Sequence, residues 1–228
     1  LIVPDKPSNV LVWHSRAFLG DTADMSTKTK VVLISAVLLV SVLALNQTAT
    51  APSASGPQYT SDGQLKLPER YREWVYLSTG FDMSYSASAI QMDHHMFDNV
   101  FVNPEAYKAF LETGTWPDKA MLVLESRKAK GKGSINQNGN FQSTDVMGVE
   151  VHVKDEARFP GKWAFFAFDD GKTASMIPTG ATCYSCHAAH AAVDTTFVQF
   201  YPTLLPIAKS KGTFSSAYQK ESGTAAGK

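Results

Sequence analysis

Apolar and polar positions along the chain fall into short β-strands interrupted by one mid-chain helix. Trp74 to Thr79 (WVYLST) is aromatic and β-branched and predicts a strand, as does Val100-Phe101-Val102. Met121 to Glu125 (MLVLE) predicts another. Val149, Glu150, Val151, His152 and Val153 alternate with period two, the pattern of a strand with one face on a core and one in water. Trp163 to Phe168 (WAFFAF) predicts a further strand, ended by Asp169-Asp170-Gly171. Asn103-Pro104-Glu105 starts a helix, with Asn at the cap, Pro at the first helical position and an acid in the first turn. Tyr107, Phe110 and Leu111 form its expected apolar face, and Gly114 ends it. Lys128 to Asn140 carries Gly131, Gly133 and Gly139 and reads as a long hairpin loop, and a second helical stretch is expected from about Ala188. The pattern predicts an α+β fold, a predominantly antiparallel β-sheet with flanking helices, and contains no internal repeat.

The ends of the chain carry different signals. Met25 to Lys30 is a short basic region, Val31 to Leu45 is apolar, and Ala49-Thr50-Ala51 is a small-x-small cleavage signal. That is the layout of a secretory signal peptide over residues 25–51. The apolar run is about 15 residues, short for a span of roughly 20. Pro52 after Ala51 disfavours cleavage, so an uncleaved anchor is the alternative and would bring the protein to a membrane. Residues 1–24 precede the only plausible start methionine and read as an over-extended start rather than structure. Residues 52–66 are rich in Pro, Ser and Gly and predict a flexible linker. The folded domain is expected over 67–214, and the small, polar segment 215–228 as a disordered tail.

Charge narrows the partners. Beyond residue 51 there are 17 basic and 18 acidic residues, so the net charge is about −1. No basic stripe is present, which argues against nucleic acid. The Lys128 to Lys132 cluster (KAKGK) reads as a solvated hairpin tip or as a docking patch for an acidic redox partner.

Both cysteines of the chain fall in Cys183-Tyr184-Ser185-Cys186-His187, a C-x-x-C-H sequence. This is the attachment pattern of a c-type haem. Two thiols three positions apart add to the two vinyl groups of one porphyrin, and the next imidazole supplies the proximal ligand to iron. Cys183, Cys186 and His187 are therefore the expected haem-binding residues, with His187 on the metal. A thioredoxin-like redox pair wants a βαβ context, whereas Ile177 to Thr182 reads as a turn. A structural zinc site wants four ligands, and there is no second cysteine pair. Because c-type haem is attached outside the cytoplasm, motif and leader support each other and predict an exported, periplasmic bacterial protein. The fold is thus expected to enclose one covalent haem c, with its iron.

Other candidates are weaker. His190 reads as a surface residue, and His152, on the polar phase of its strand, as solvated. His94 and His95 are adjacent, so only one can point at a haem. Met121, Met147 and Met176 are candidate sixth ligands, which would make an electron-transfer cytochrome, or core fillers. Phe97, Phe101, Leu124, Phe165 and Phe168 are candidates for a haem wall or an ordinary sheet core.

An ordered set of segments carries a resemblance. Tyr71-Arg72-Glu73-Trp74-Val75, Val100 to Pro104, Thr113-Gly114, Gly148 to Val151, Val153-Lys154-Asp155, Arg158-Phe159-Pro160, Trp163 to Phe166, the C-x-x-C-H motif and Phe200-Tyr201-Pro202 together resemble cytochrome P-460 and its relative cytochrome c′-beta. The likeness runs from about residue 69 to 212. It implies a β-sheet haem protein, usually a homodimer, with five-coordinate iron and an open distal site. One branch oxidises hydroxylamine, and the other binds nitric oxide or carbon monoxide in a more apolar pocket. The resemblance thus implies a small gaseous or nitrogenous ligand and a soluble redox partner. In P-460 proper, a lysine on the strand after the first helix is bonded to the porphyrin. Leu124 stands at the matching position here, unless Lys128 or Lys130 substitutes from a shifted register. Active P-460 members also use a pocket carboxylate as a proton relay, and residues 171–182, just before the motif, contain no acid. Phe97, Leu124 and His95 are the expected distal-pocket residues. These departures favour gas binding over hydroxylamine oxidation.

Overall fold

The computed structural model describes residues 56–84, 95–169 and 171–223. Its main sheet has five strands: β2 (Val75–Phe81), β3 (Met96–Val102), β4 (Met121–Lys130), β5 (Phe141–Lys154) and β6 (Trp163–Phe168). They lie in sequence order, each antiparallel to the next. A small second sheet pairs β1 (Leu65–Lys66) with β7 (Thr173–Ala174). Among the described residues four helices complete the α+β architecture: α1 (Pro104–Thr113), α2 (Thr182–His190), α3 (Leu205–Lys211) and α4 (Ser216–Glu221). Among the described residues no helix is long and apolar enough to cross a membrane. The leader of residues 25–51 and the segment 1–24 lie outside the described residues.

Period-two alternation sends successive side chains to opposite faces of the main sheet. Val123, Val151, Val153, Ala164, Phe166 and Phe168 build one core, closed by Leu65, Tyr71 and Ala174. Leu77, Val102, Leu122 and Trp163 build the other, against Phe110 of α1, Trp116, Val198, Leu204 and Ala208. Register decides what stands beside what: Val100 pairs with Leu124, and Leu124 with Glu150. One row along, Leu122 pairs with His152, and His152 with Phe165.

Helix α1 starts and stops where its sequence signals stand. The Asn103 carbonyl accepts from Tyr107 N, while its side chain turns to accept from Met121 N at 2.8 Å and so ties α1 to the start of β4. Gly114 takes a left-handed conformation (φ 76°) and its N–H closes on the Phe110 carbonyl. Ala106 and Phe110 carry the buried face, and Leu111 is 40% exposed.

Three expectations are corrected. Described structure begins at residue 56, not 67: Tyr59 bridges to Leu65, Lys66 N donates to Gln58 O, and Leu65 is fully buried. The Gly and Ser residues there make a tight turn, and Tyr59, stacked under Arg158 at 3.9 Å and edge-on to Phe159, anchors it. At the other end, 215–223 is not a disordered tail. The Ser215 hydroxyl caps α4 by accepting from Tyr218 N at 3.0 Å, and Phe214 and Tyr218 pack on the core. The helix expected from Ala188 begins at Thr182, so the C-x-x-C-H residues sit on α2 itself.

Candidate functional site

The sheet face under α2 is hollowed into a cavity holding about 960 Å³ of empty space, part of it open to solvent. Ser78 and Gly80 of β2, Asp98 and Val100 of β3, Leu122 and Leu124 of β4, Glu150 and His152 of β5 and Phe165 of β6 form its floor. His187 of α2 and the segment carrying Thr196, Phe197, Phe200 and Tyr201 form the opposite side. Met83 stands at the β2 end, 38% exposed.

Helix α2 carries Cys183, Cys186 and His187 with neither thiol in a disulfide. The His187 ring is wedged among Phe197 at 4.2 Å, Phe165 at 4.6 Å and His152 at 5.3 Å between ring centres. Its Nδ1 lies 2.7 Å from the Thr195 carbonyl. A carbonyl can only accept, so Nδ1 carries the hydrogen and the Nε2 lone pair is left for a metal. Burial lowers the His187 pKa, against an opposing push from that hydrogen bond, so the ring is neutral near pH 7.

The loop behind His187 is pinned from the sheet. His152 Nε2 and Thr195 Oγ1 are 3.2 Å apart. The Trp116 indole N–H donates to Thr196 Oγ1 at 2.7 Å. Lys154 donates to the Trp116 carbonyl at 2.7 Å and lies 3.5 Å from the Asp194 carboxylate. His152 is buried and stacked on Phe165 at 3.9 Å. Burial first, then the neighbouring His187, hold its pKa well below the usual histidine value.

The cavity also has an acidic end. Ser126 Oγ donates to Asp98 Oδ1 at 2.5 Å across the β3–β4 pair. Glu150 lines the open cavity, so solvent reaches it, yet the walls remove much of its water. That burial, and secondly the Asp98 charge, raise its pKa. Leu124 stands directly opposite Glu150 on the neighbouring strand.

The structure brings together His187, Leu124 and Phe165 from the sequence candidates. It does not bring Phe97 or His95 to the cavity. Phe97 falls on the opposite phase of β3 from Asp98 and Val100, and packs on Phe81 at 4.8 Å. His95 is exposed, pairs with Asp82 and stacks on Phe81. Phe101 and Phe168 belong to the far core. His94 lies outside the described residues. Met121 is buried in the far core, and Met147 and Met176 are exposed away from the cavity. His190 is exposed and pairs with Glu221 at 3.0 Å. His152 is not solvated: the polar phase of β5 faces the cavity and the loop above it. Glu150, His152 and Thr195 were therefore missed, although the run Glu150, His152, Lys154 on one strand phase is the signal that could have found them.

These residues fit a c-type haem. Two unbridged thiols and a neutral imidazole share one helix, and the imidazole borders a cavity with apolar walls. Among the described residues no group of three or more His, Cys, Asp and Glu gathers as a metal cluster. A β-sheet protein with such a motif is of the cytochrome class. The cytochrome P460 family model matches residues 68–198, and the chain belongs to that family, whose members are haem proteins. A search of curated proteins finds no significant match.

Proposed function

We propose that the protein is an exported, periplasmic mono-haem c-type cytochrome that binds small nitrogen species, nitric oxide foremost, at an open distal side of its iron. The observation that carries this is the His187 imidazole, held neutral at the cavity wall with Nδ1 given to the Thr195 carbonyl, one residue from a free thiol and four from the other. Cys183 and Cys186 would hold the porphyrin and His187 Nε2 the iron. When bound, the haem supplies an iron that accepts small ligands and changes redox state. Val100, Leu122 and Leu124 favour neutral diatomics over anions and water. Leu124 has no amine with which to bond a porphyrin.

Oxidation of hydroxylamine is a second reading, and Glu150 favours it. A cavity carboxyl with a raised pKa, beside Asp98, can take a proton from a bound N–H or O–H and release it toward the open side. A six-coordinate His/Met electron-transfer cytochrome is the rival, and Met83, the one methionine in the cavity wall among the described residues, is its candidate ligand.

Lys128, Lys130 and Lys132 make no ion pair among the described residues and suit a soluble acidic redox partner. The exposed Phe141, Val146 and Met147 on the outer half of β5 suit a second copy in a homodimer.

The deciding experiment is the ferrous absorption spectrum with and without carbon monoxide, followed by the mass of the haem peptide. High-spin iron that shifts with carbon monoxide, and no third attachment, supports gas binding. A red-shifted Soret band with a lysine peptide on the porphyrin makes it a hydroxylamine oxidase of the P-460 type. Low-spin iron that ignores carbon monoxide, and becomes high-spin in Met83→Leu, establishes the rival. A colourless matured protein overturns all three. The N-terminal mass of the same sample tests export and cleavage.

A further inference from the structure

Resting on that reading, we infer that His152 is a positioning residue for the proximal ligand. Through Thr195 it fixes the hydrogen bond that His187 donates, and so sets how strongly His187 binds iron. One residue makes both contacts: the Thr195 carbonyl accepts from His187 Nδ1 at 2.7 Å, and its hydroxyl lies 3.2 Å from His152 Nε2. The loop on either side is pinned independently, by Asp194 to Lys154 and by Thr196 to Trp116. Between these pins the Thr195 side chain makes no other hydrogen bond among the described residues, so His152 selects its rotamer. His152 is itself packed on both sides. It is 8% exposed and stacked on Phe165, which stands edge-on to His187. The arrangement is a closed circuit of His187, Thr195, His152 and Phe165.

The consequence is electronic as well as geometric. A firm Nδ1–H to carbonyl bond fixes the tautomer and puts electron density on Nε2, which strengthens the ligand and favours ferric iron. Away from bulk water such a bond counts for more. Loosening Thr195 therefore weakens the iron–histidine bond without touching a haem attachment.

Three variants of the haem-loaded chain test this. His152→Phe keeps the stacked ring and drops the nitrogen. Thr195→Val drops the hydroxyl and keeps the carbonyl. His152→Gln restores a hydrogen-bonding group. The readouts are the iron–histidine stretching band of the ferrous unliganded protein and the iron midpoint potential. His152→Phe and Thr195→Val are expected to lower the band and raise the potential by similar amounts, the double variant to add nothing further, and His152→Gln to lie near wild type. A role in packing alone lowers the melting temperature of His152→Phe with band and potential unmoved, and overturns the inference. So do fully additive shifts in the double variant. If His152→Phe does not mature, Thr195→Val decides, because it removes only the hydroxyl contact. Wild type without covalent haem overturns the proposed function and this inference together, whereas loaded variants with unmoved band and potential overturn this inference alone.

Discussion

Glu125 and Glu150 sit on neighbouring strands with their side chains on opposite faces of the sheet, and their surroundings give them opposite signs. Burial pushes the Glu125 carboxyl up, but hydrogen bonds from Arg127, Tyr71 and Arg72 outweigh it and hold the pKa below the usual value. Its stabilising contribution is therefore present above the unfolded glutamate pKa, about 4.3, and is lost as pH falls through the lower folded value. Glu125→Gln should cost about 2 kcal/mol at pH 7, the scale of hydrogen bonds to a charged group, and the gap to wild type should close in acid. Glu150 runs the other way. Its folded pKa is raised, so its contribution is full below the unfolded value and is lost as pH rises through the folded one. In the haem-free chain, Glu150→Gln should melt above wild type at pH 7 and level with it near pH 4. Thermal melts of both variants across that interval check the pair; curves that shift in the same direction would refute the assignment. In the sequence these two acids look alike. Each stands on a predicted strand, and nothing in one chain says which face the register turns toward arginines and which toward a cavity. The C-x-x-C-H spacing is legible because covalent chemistry demands it. The cavity that receives His187 is not, because it arises only where a distant loop folds over β5.

At the level of elements, the signals that were local survived. The Asn-Pro-Glu start and Gly114 stop of α1 are written in adjacent residues, and the strand cores at Val100–Val102 and Trp163–Phe168 follow from their aromatic and β-branched residues. Ends were misjudged where composition stood in for contacts: the Ser- and Gly-rich approach to β1 and the polar C-terminus are ordered by Tyr59, Phe214 and Tyr218, single aromatics that reach a core far off in sequence. Gly114 joins the local and distant arguments. Its φ of 76° is strained for any residue with a Cβ, and a Cβ there would stand 2.7 Å from the Lys211 Cβ and 3.0 Å from the Thr213 hydroxyl. The Thr213 hydroxyl also donates to the Gly114 carbonyl at 2.7 Å, so the turn after α1 is fastened to the end of α3. Gly114→Ala should lose roughly 1–2 kcal/mol from the left-handed backbone alone. The crowding adds to this, because Lys211 is met at its first carbon rather than its flexible tip. Denaturant unfolding measures it, and a loss below about half a kilocalorie would mean that α3 yields.

For the whole molecule, one sheet serves two cores of different character. The far core of Val123, Val151, Phe166 and Phe168 is closed by chain on every side described, while the near core is interrupted by the cavity between β2–β6 and α2. Aromatic content could not reveal this division, because Phe101, Phe166 and Phe168 sit on the closed side and Phe165 and Phe197 on the open one. The two cores should therefore depend differently on what fills the cavity. A covalent haem tied to α2 and ligated by His187 would replace the missing near-core contacts, whereas the ladder of β4 with β5 and β6 is backed by the far core with or without it. Local opening follows such differences in buried contact. In a chain carrying Cys183→Ala and Cys186→Ala, backbone amides of α2 and of the segment 191–201 should exchange with solvent far faster than in the haem-loaded protein. Amides of Val123, Val151 and Val153 should keep most of their protection. Hydrogen exchange read residue by residue distinguishes this from its opposite. Equal protection of α2 in both chains would mean that the helix is held by α4 and the His190–Glu221 pair alone. Uniform loss through β4 and β5 would mean that the near core, and not the far one, carries the fold.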